Sequence, residues 1–221
     1  VQPPPTGPVV GFDLDMTLVD SASGIVATIT AACAEVGVSV DPEAARRFIG
    51  VPLEDTLRVI APDVDPVATA DRYRALYPVT GIPPITLLPG AAEAFEAVHA
   101  LGGRVLVVSA KVEHAVRRVL EHVGLDAGVL APDLVVGGLY AAAKGVRLAT
   151  EHADVYVGDH PGDVEAAQVA GAVSVAVATG PHPAADLAAA GADVVLPDLT
   201  GFPAWLRTWA EDAAQRTERA G

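Results

Sequence analysis

Sulfur and aromatic rings are scarce in this sequence: one cysteine, one methionine and 5% Phe, Trp and Tyr in 221 residues. A lone cysteine excludes an internal disulfide and a thiolate metal cluster. Cys33 lies in IVATITAACAEVG, where it reads as a small helix-core residue rather than a reactive thiol. Positive charge is also short, with 14 Lys and Arg against 28 Asp and Glu and a formal net charge of −14. Such a surface repels nucleic acid and anionic membranes, and no Lys/Arg block offsets it. No uninterrupted apolar run reaches the roughly 18 residues of a membrane span. The opening VQPPPTGP lacks the basic and apolar segments of a secretory signal. Residues 1–8 are therefore expected to be a flexible Pro-rich lead-in, and the expected location is the cytoplasm.

What is abundant is the material of a large core. The chain is 51% hydrophobic and rich in Ala, Val and Gly, which suits helices packed closely over a sheet. Short continuous apolar runs at 9–13, 104–109, 155–158, 173–178 and 194–196, with a weaker one at 134–136, read as strands covered on both faces. Helical patterns lie between them at 91–101, 112–123, 144–151, 164–170 and 184–190. Gly102, Gly124, Gly171 and Gly191 stand where helix C-caps would be. Strands alternating with helices predict an α/β fold: a doubly wound, Rossmann-like parallel sheet that binds ligands at the carboxyl ends of its strands. One interval breaks the alternation. Helical stretches at 24–36, 42–49, 53–60 and 66–77 predict an inserted α-helical cap over residues 21–85, with the α/β core formed by 9–20 plus 86–221. Trp205 and Trp209, four apart near the C-terminus, read as core anchors on one face of a last helix.

The polar residues gather at predicted strand ends. VVGFDLDMTLVDS places Asp13 and Asp15 two residues apart after the first strand, with Thr17 two further on. Burying two such carboxylates is costly unless a cation or a shared proton relieves them. Ser109 and Lys111 follow the second strand, and GDHPGD places Asp159 after a strand and Asp163 at the start of the next helix. Lys144 opens the helix before that strand. Phosphoryl transfer through an aspartyl-phosphate needs this set. It takes a carboxylate nucleophile, a second carboxyl as acid and base, and an all-oxygen site that suits Mg²⁺. It also takes a hydroxyl and an ammonium to hold the transferring oxygens.

The sequence resembles the haloacid dehalogenase superfamily of phosphohydrolases. FDLDMTLVDS is similar to that family's first motif, VLVVSA to the second, Lys144 to the third and GDHPGD to the fourth. The helical insert and GDVEAAQVAGA resemble the phosphoglycolate phosphatase-like branch, and the resemblance runs from residue 9 to about 199. It implies Asp13 as nucleophile and metal ligand, and Asp15 as general acid/base whose backbone carbonyl also reaches the metal. Thr17, Ser109 and Lys144 would bind phosphate, and Asp159 and Asp163 would complete the Mg²⁺ site. Two departures stand out. Met16 occupies a place where the family commonly has Gly, which implies either an ordinary φ there or strain, with a side chain that narrows the site. GGLYAAAKGVRLA lacks a Gly-Lys-Pro, so Lys111 is a rival to Lys144 for the phosphate-binding cation.

The reading is thus a Mg²⁺-dependent phosphatase for a small phosphorylated metabolite, phosphoglycolate-like or a sugar phosphate. A phosphomutase on the same core and a receiver-like phosphoacceptor domain are the alternatives. A dehalogenase would leave Asp15 and the metal carboxylates without a task. His160 between two aspartates is read as an orienting or exposed residue, because a hard cation prefers oxygen. Arg46 and Arg47 are the insert's candidates for a distal anionic group. Monomer and homodimer are both compatible with the sequence.

Overall fold

The computed structural model describes residues 7–220, side chains of 217–220 excepted. Most of the Pro-rich lead-in therefore lies outside the described residues. Gly7 and Pro8 are already tied to the core, through Gly7 N–H to Gly102 O and Arg104 N–H to Pro8 O.

Six parallel strands form the central sheet in the order β5-β4-β1-β6-β7-β8. They are β1 (Val9–Phe12), β4 (Arg104–Val108), β5 (Leu134–Val136), β6 (Val155–Gly158), β7 (Val173–Val177) and β8 (Val194–Leu196). The chain leaves β1 toward β4 and β5, then crosses back to β6 on the other side of β1. Strand order reverses around β1, so the crevice for a ligand opens at its carboxyl end. Each strand alternates its side chains between two apolar layers. Val10, Phe12, Val105, Val107, Val155 and Val157 face one layer, in which Phe12 packs on Phe95 and Phe202. Val9, Leu106, Val108 and Tyr156 face the other, with Leu148, Ala166 and Ala167. Both faces are covered, so the strands are almost wholly apolar, with buried Ser174 in β7 an exception.

Helices α5 (Ala91–Ala100), α6 (Glu113–Val123), α7 (Ala142–Thr150), α8 (Pro161–Ala170), α9 (Ala184–Ala189) and α10 (Phe202–Ala220) connect and cover the strands. Trp205 and Trp209 stack on one face of α10 and pack against the first layer, as core anchors should. Between β2 (Val19–Asp20) and β3 (Thr86–Leu87) lie α1 (Ala22–Ala34), α2 (Pro42–Arg47), α3 (Leu53–Ile60) and α4 (Pro66–Thr80). Cys33 is fully buried in α1. None of the described helices is long and apolar enough to cross a membrane.

Several element ends differ from the sequence reading for local reasons. β1, β4 and β7 each stop one residue short of the predicted end, which leaves Asp13, Ser109 and Ala178 just outside the strands. α8 begins at Pro161, three residues early, because Pro is well placed in a first turn that needs no backbone donor. α4 runs past Tyr77 to Thr80 with Pro78 in its last turn. The antiparallel β2–β3 pair, Val19 opposite Leu87 and Asp20 opposite Thr86, is too short to show a period in sequence.

Gly11 matters to the site through what it leaves out. A Cβ there would stand 2.7 Å from Leu148 Cδ2 and 2.8 Å from Tyr156 Cδ2. Its absence lets Tyr156 lie close over β1, where the phenol donates to Val108 O at 2.8 Å and reaches Asp163 Oδ1 at 3.4 Å. Gly11→Ala should therefore overpack this layer and lower stability by about 1–3 kcal/mol, read from urea unfolding.

Candidate active site

The three neighbouring strands β4, β1 and β6 deliver Ser109, Asp13 and Asp159 to one edge of the sheet. The helices α7 and α8, packed together on one face, add Lys144 and Asp163. Lys144 Nζ lies 2.7 Å from Asp13 Oδ1 and 2.7 Å from Asp163 Oδ1. Carboxylate oxygens of Asp13, Asp159 and Asp163 all come within 4.8 Å of one another. All four side chains are buried, with exposures of 1–4%. Asp15 belongs to a second pair: its Oδ2 is 3.0 Å from Lys111 Nζ, which also sits 4.5 Å from the centre of the Tyr77 ring. The two lysines that rivalled each other in sequence are both at the site, on different carboxylates.

The electrostatics follow from burial. Loss of solvent, reinforced by Asp163 and Asp15, pushes Asp13 up to about 7 despite the pull of Lys144. Burial followed by Asp163 and Asp13 likewise holds Asp159 well above the ordinary carboxylate range. Burial alone would pull Lys144 down, but Asp13 and Asp163 outweigh it and keep the ammonium charged. Asp15 together with Tyr77 and Tyr73 does the same for Lys111. Asp159 Oδ2 is buried with no hydrogen-bond partner, and Asp15 Oδ1 is likewise unpartnered. An oxygen-only cluster that holds more negative than positive charge, with a spare buried acceptor, fits a hard divalent cation.

The loop after β1 is held in a costly shape. Met16 has φ of 62°, in the left-handed region, so strain rather than an ordinary φ is the outcome of the missing glycine. That conformation costs roughly 1–2 kcal/mol for a residue with a Cβ. The Met16 side chain is buried in the first apolar layer instead of narrowing the site, and burying it returns roughly 1.5–3 kcal/mol. Met16 N–H donates to Val19 O at 2.8 Å, and Met16 O accepts from the Thr179 hydroxyl. Thr17 is fully buried and donates to Asp159 Oδ1 at 3.2 Å, so it links the first loop to the fourth. Ser109 Oγ accepts from Lys111 N–H at 3.2 Å.

Sequence reasoning passed over Thr179, Gly180 and Tyr156. Thr179 and Gly180 lie just beyond β7, and the rule that flagged the other strand ends would have reached them. A Cβ on Gly180 would lie 1.7 Å from Asp159 Oδ2, so only glycine permits that carboxylate its position. His160 is half-buried and orients rather than ligates: its Nδ1 accepts from Gly162 N–H at 2.9 Å as the N-cap of α8, while Asp163 Oδ2 accepts from His160 N–H. His182 stacks edge-on against it, 4.6 Å between ring centres.

Known families match this geometry along most of the chain. A model described as haloacid dehalogenase-like hydrolase matches residues 10–131, and a second, HAD-hydrolase-like, matches 134–202. This chain belongs to the haloacid dehalogenase-like hydrolases. The protein named "Probable phosphatase IndB" from Dickeya dadantii is 31% identical over 207 residues, which is 86% of this chain and 89% of that protein. "Tyrosine-protein kinase PtkA" of Mycobacterium tuberculosis is 29% identical over 184 residues. That match takes in 78% of this chain but only 62% of the mycobacterial protein. Among solved structures, a haloacid dehalogenase-like family hydrolase from Streptococcus pneumoniae superposes with a TM-score of 0.77 at 24% identity, over 90% of this chain and 97% of that one. A predicted phosphatase from Clostridium acetobutylicum gives 0.79 at 21%, over 91% and 99%. Likeness at that identity establishes the shared fold.

Two measurements probe the site of this haloacid dehalogenase-like hydrolase without substrate. Lys144→Met leaves its carboxylates without their ammonium and should cost about 3–5 kcal/mol in metal-free urea unfolding at pH 8. The loss should shrink at pH 5, where burial lets Asp13 take up a proton instead. Burial lowers the folded His160 to about 4, from an ordinary 6.5. Its unfolded form therefore binds the proton first, and stability present above about 6.5 is lost as pH falls toward 4. His160→Asn keeps a capping acceptor and should remove on the order of 1 kcal/mol of that acid loss, measured as the wild-type minus variant difference across the window.

Proposed function

We propose that this protein is a divalent-cation-dependent phosphatase, with Mg²⁺ as the metal, that hydrolyses a small phosphate monoester through an aspartyl-phosphate on Asp13. The observation that carries the reading is the grouping of Asp13, Asp159 and Asp163 around Lys144 at the carboxyl end of β1, with Asp15 beside it. The phosphatase name of the Dickeya relative agrees with it.

In this reading Asp13, Asp159 and Asp163, with the Asp15 backbone carbonyl, hold Mg²⁺. When bound, the metal neutralises the clustered carboxylates and the charge of the entering phosphate. Asp13, whose carboxyl burial otherwise inclines to keep a proton, would be held ionised as the nucleophile by that charge. The Lys144 ammonium, the Ser109 hydroxyl and Thr17 bind or support the transferring oxygens. In the first half-reaction an Asp13 oxygen bonds to phosphorus while the bond to the alcohol oxygen breaks. Asp15 gives that oxygen a proton, from Oδ1, the atom without a protein partner. In the second half Asp15 takes a proton from water, the water oxygen bonds to phosphorus, and the bond to Asp13 breaks. Inorganic phosphate leaves and both carboxyls return to their starting state. Residues 21–85 act as a cap that excludes bulk water during attack and selects the alcohol.

Phosphate release from a panel of monoesters, with Mg²⁺ and with chelator, tests the reading. Asp13→Asn should abolish turnover, and Asp15→Asn should lower kcat by about 10²–10⁴. Chelation should remove activity and Mg²⁺ should restore it. Release that persists in Asp13→Asn, or none with any ester, would sink the proposal. Transfer of phosphate between positions of one substrate would point to a mutase instead.

A further inference from the structure

The cavity beside Asp15 has a chemistry of its own. It encloses about 350 Å³ between the four-helix segment and the loops after β4 and β5. Its walls are Ile25 and Ile29 of α1, Phe48 and Ile49 after α2, and Tyr73 and Tyr77 of α4, the last two rings stacked 5.3 Å apart. The polar groups within it are largely spent on one another. Lys111 is paired with Asp15, and Arg74 with Glu54 and Asp71. Arg118 also lines the cavity but is solvent-exposed. Arg46 and Arg47, the arginines considered for a distal anion, are exposed and outside the lining, and Arg46 lies 3.9 Å from Glu43. Two buried atoms of the lining lack a hydrogen-bond partner, Asp15 Oδ1 at the reacting end and the hydroxyl of Tyr77, whose ring face is otherwise apolar.

We infer that the substrate is a phosphate monoester whose alcohol carries a flat apolar or aromatic group and no second anionic group, seated against Phe48, Tyr73 and Tyr77. This rests on the phosphatase reading and deepens it. A carboxylate-bearing alcohol such as glycolate, or a polyhydroxylated sugar, would lose water on entering this cavity and find apolar walls in return. Away from the exposed Arg118, its anion would also have to break an existing ion pair to gain a cation. An aromatic ring exchanges water for ring and aliphatic contacts, and a cavity of this size is in the range of small-molecule sites.

The decisive experiment compares alcohols of similar basicity, so that the ratio reports the pocket rather than the leaving group. With Mg²⁺ and the full chain, kcat/KM for benzyl phosphate should exceed that for ethyl phosphate, glycerol phosphate and 2-phosphoglycolate by about tenfold or more. Phe48→Ala should cut the benzyl-to-ethyl ratio by about tenfold, a readout that is insensitive to the amount of folded enzyme. Phosphoglycolate or glycerol phosphate matching benzyl phosphate, or a ratio unmoved by Phe48→Ala, would overturn the substrate class and leave the phosphatase standing. If no ester turns over, the phosphatase reading fails, and calorimetry with Mg²⁺ then decides the pocket by itself. Tighter binding of benzylphosphonate than of phosphonoacetate supports it, and equal or reversed affinities overturn it.

Discussion

Asp13, Asp159 and Asp163 are buried around one ammonium, that of Lys144, and the cost of that charge organises the end of the sheet. Carboxylates packed within 4.8 Å of one another in a dry site must hold protons, pair with cations or bind a metal. Lys144 meets part of the demand, and the raised affinities of Asp13 and Asp159 for protons are the remainder. A cluster left short of positive charge in this way fits a divalent cation. The overall acidity of the chain makes that local arrangement more necessary, because the surface field repels an anion.

Keeping those groups in register falls to neighbours that do no chemistry. The empty space at Gly11 admits Tyr156, which braces Val108 and approaches Asp163. The empty space at Gly180 admits Asp159 Oδ2. His160 caps α8, and Asp163 closes the reciprocal half of that capping box, so a carboxylate of the acidic cluster also secures a helix start. Met16 keeps a left-handed φ because its buried side chain and the Thr179 hydroxyl at its carbonyl outweigh the local strain. The loop that presents Asp13 and Asp15 is thus held from β6, from beyond β7 and from the core beneath.

The second lysine makes a separate ion pair within a short span. Lys111 pairs with Asp15 in the lining of the cavity, whereas Lys144 pairs with Asp13 in the acidic cluster. One carboxyl belongs to the acidic cluster and the other lines the cavity. Most of the charged groups lining that cavity are paired with one another, and much of the remaining wall is apolar. The segment between β2 and β3 supplies most of that lining.

The order of elements and the polar strand ends were legible in the sequence because both are local. A doubly covered strand is a continuous apolar run, and Asp13, Ser109 and Asp159 stand one residue after such runs. Lys144 and Asp163 were legible as helix-start residues placed in motif order. Long-range geometry was not legible. Whether Lys111 or Lys144 meets Asp13 depends on where α7 packs against α8, and Tyr156 reaches the site only because a glycine lies opposite it on β1. Met16 at a glycine position signalled an ordinary or a strained turn, and burial of its side chain decided for strain. The sequence by itself determined the fold class and the set of charged groups, since periodicity and spacing are properties of the chain. Only the tertiary structure decided which charges neutralise one another and what lines the cavity, because pairing and enclosure depend on side chains that converge from distant segments.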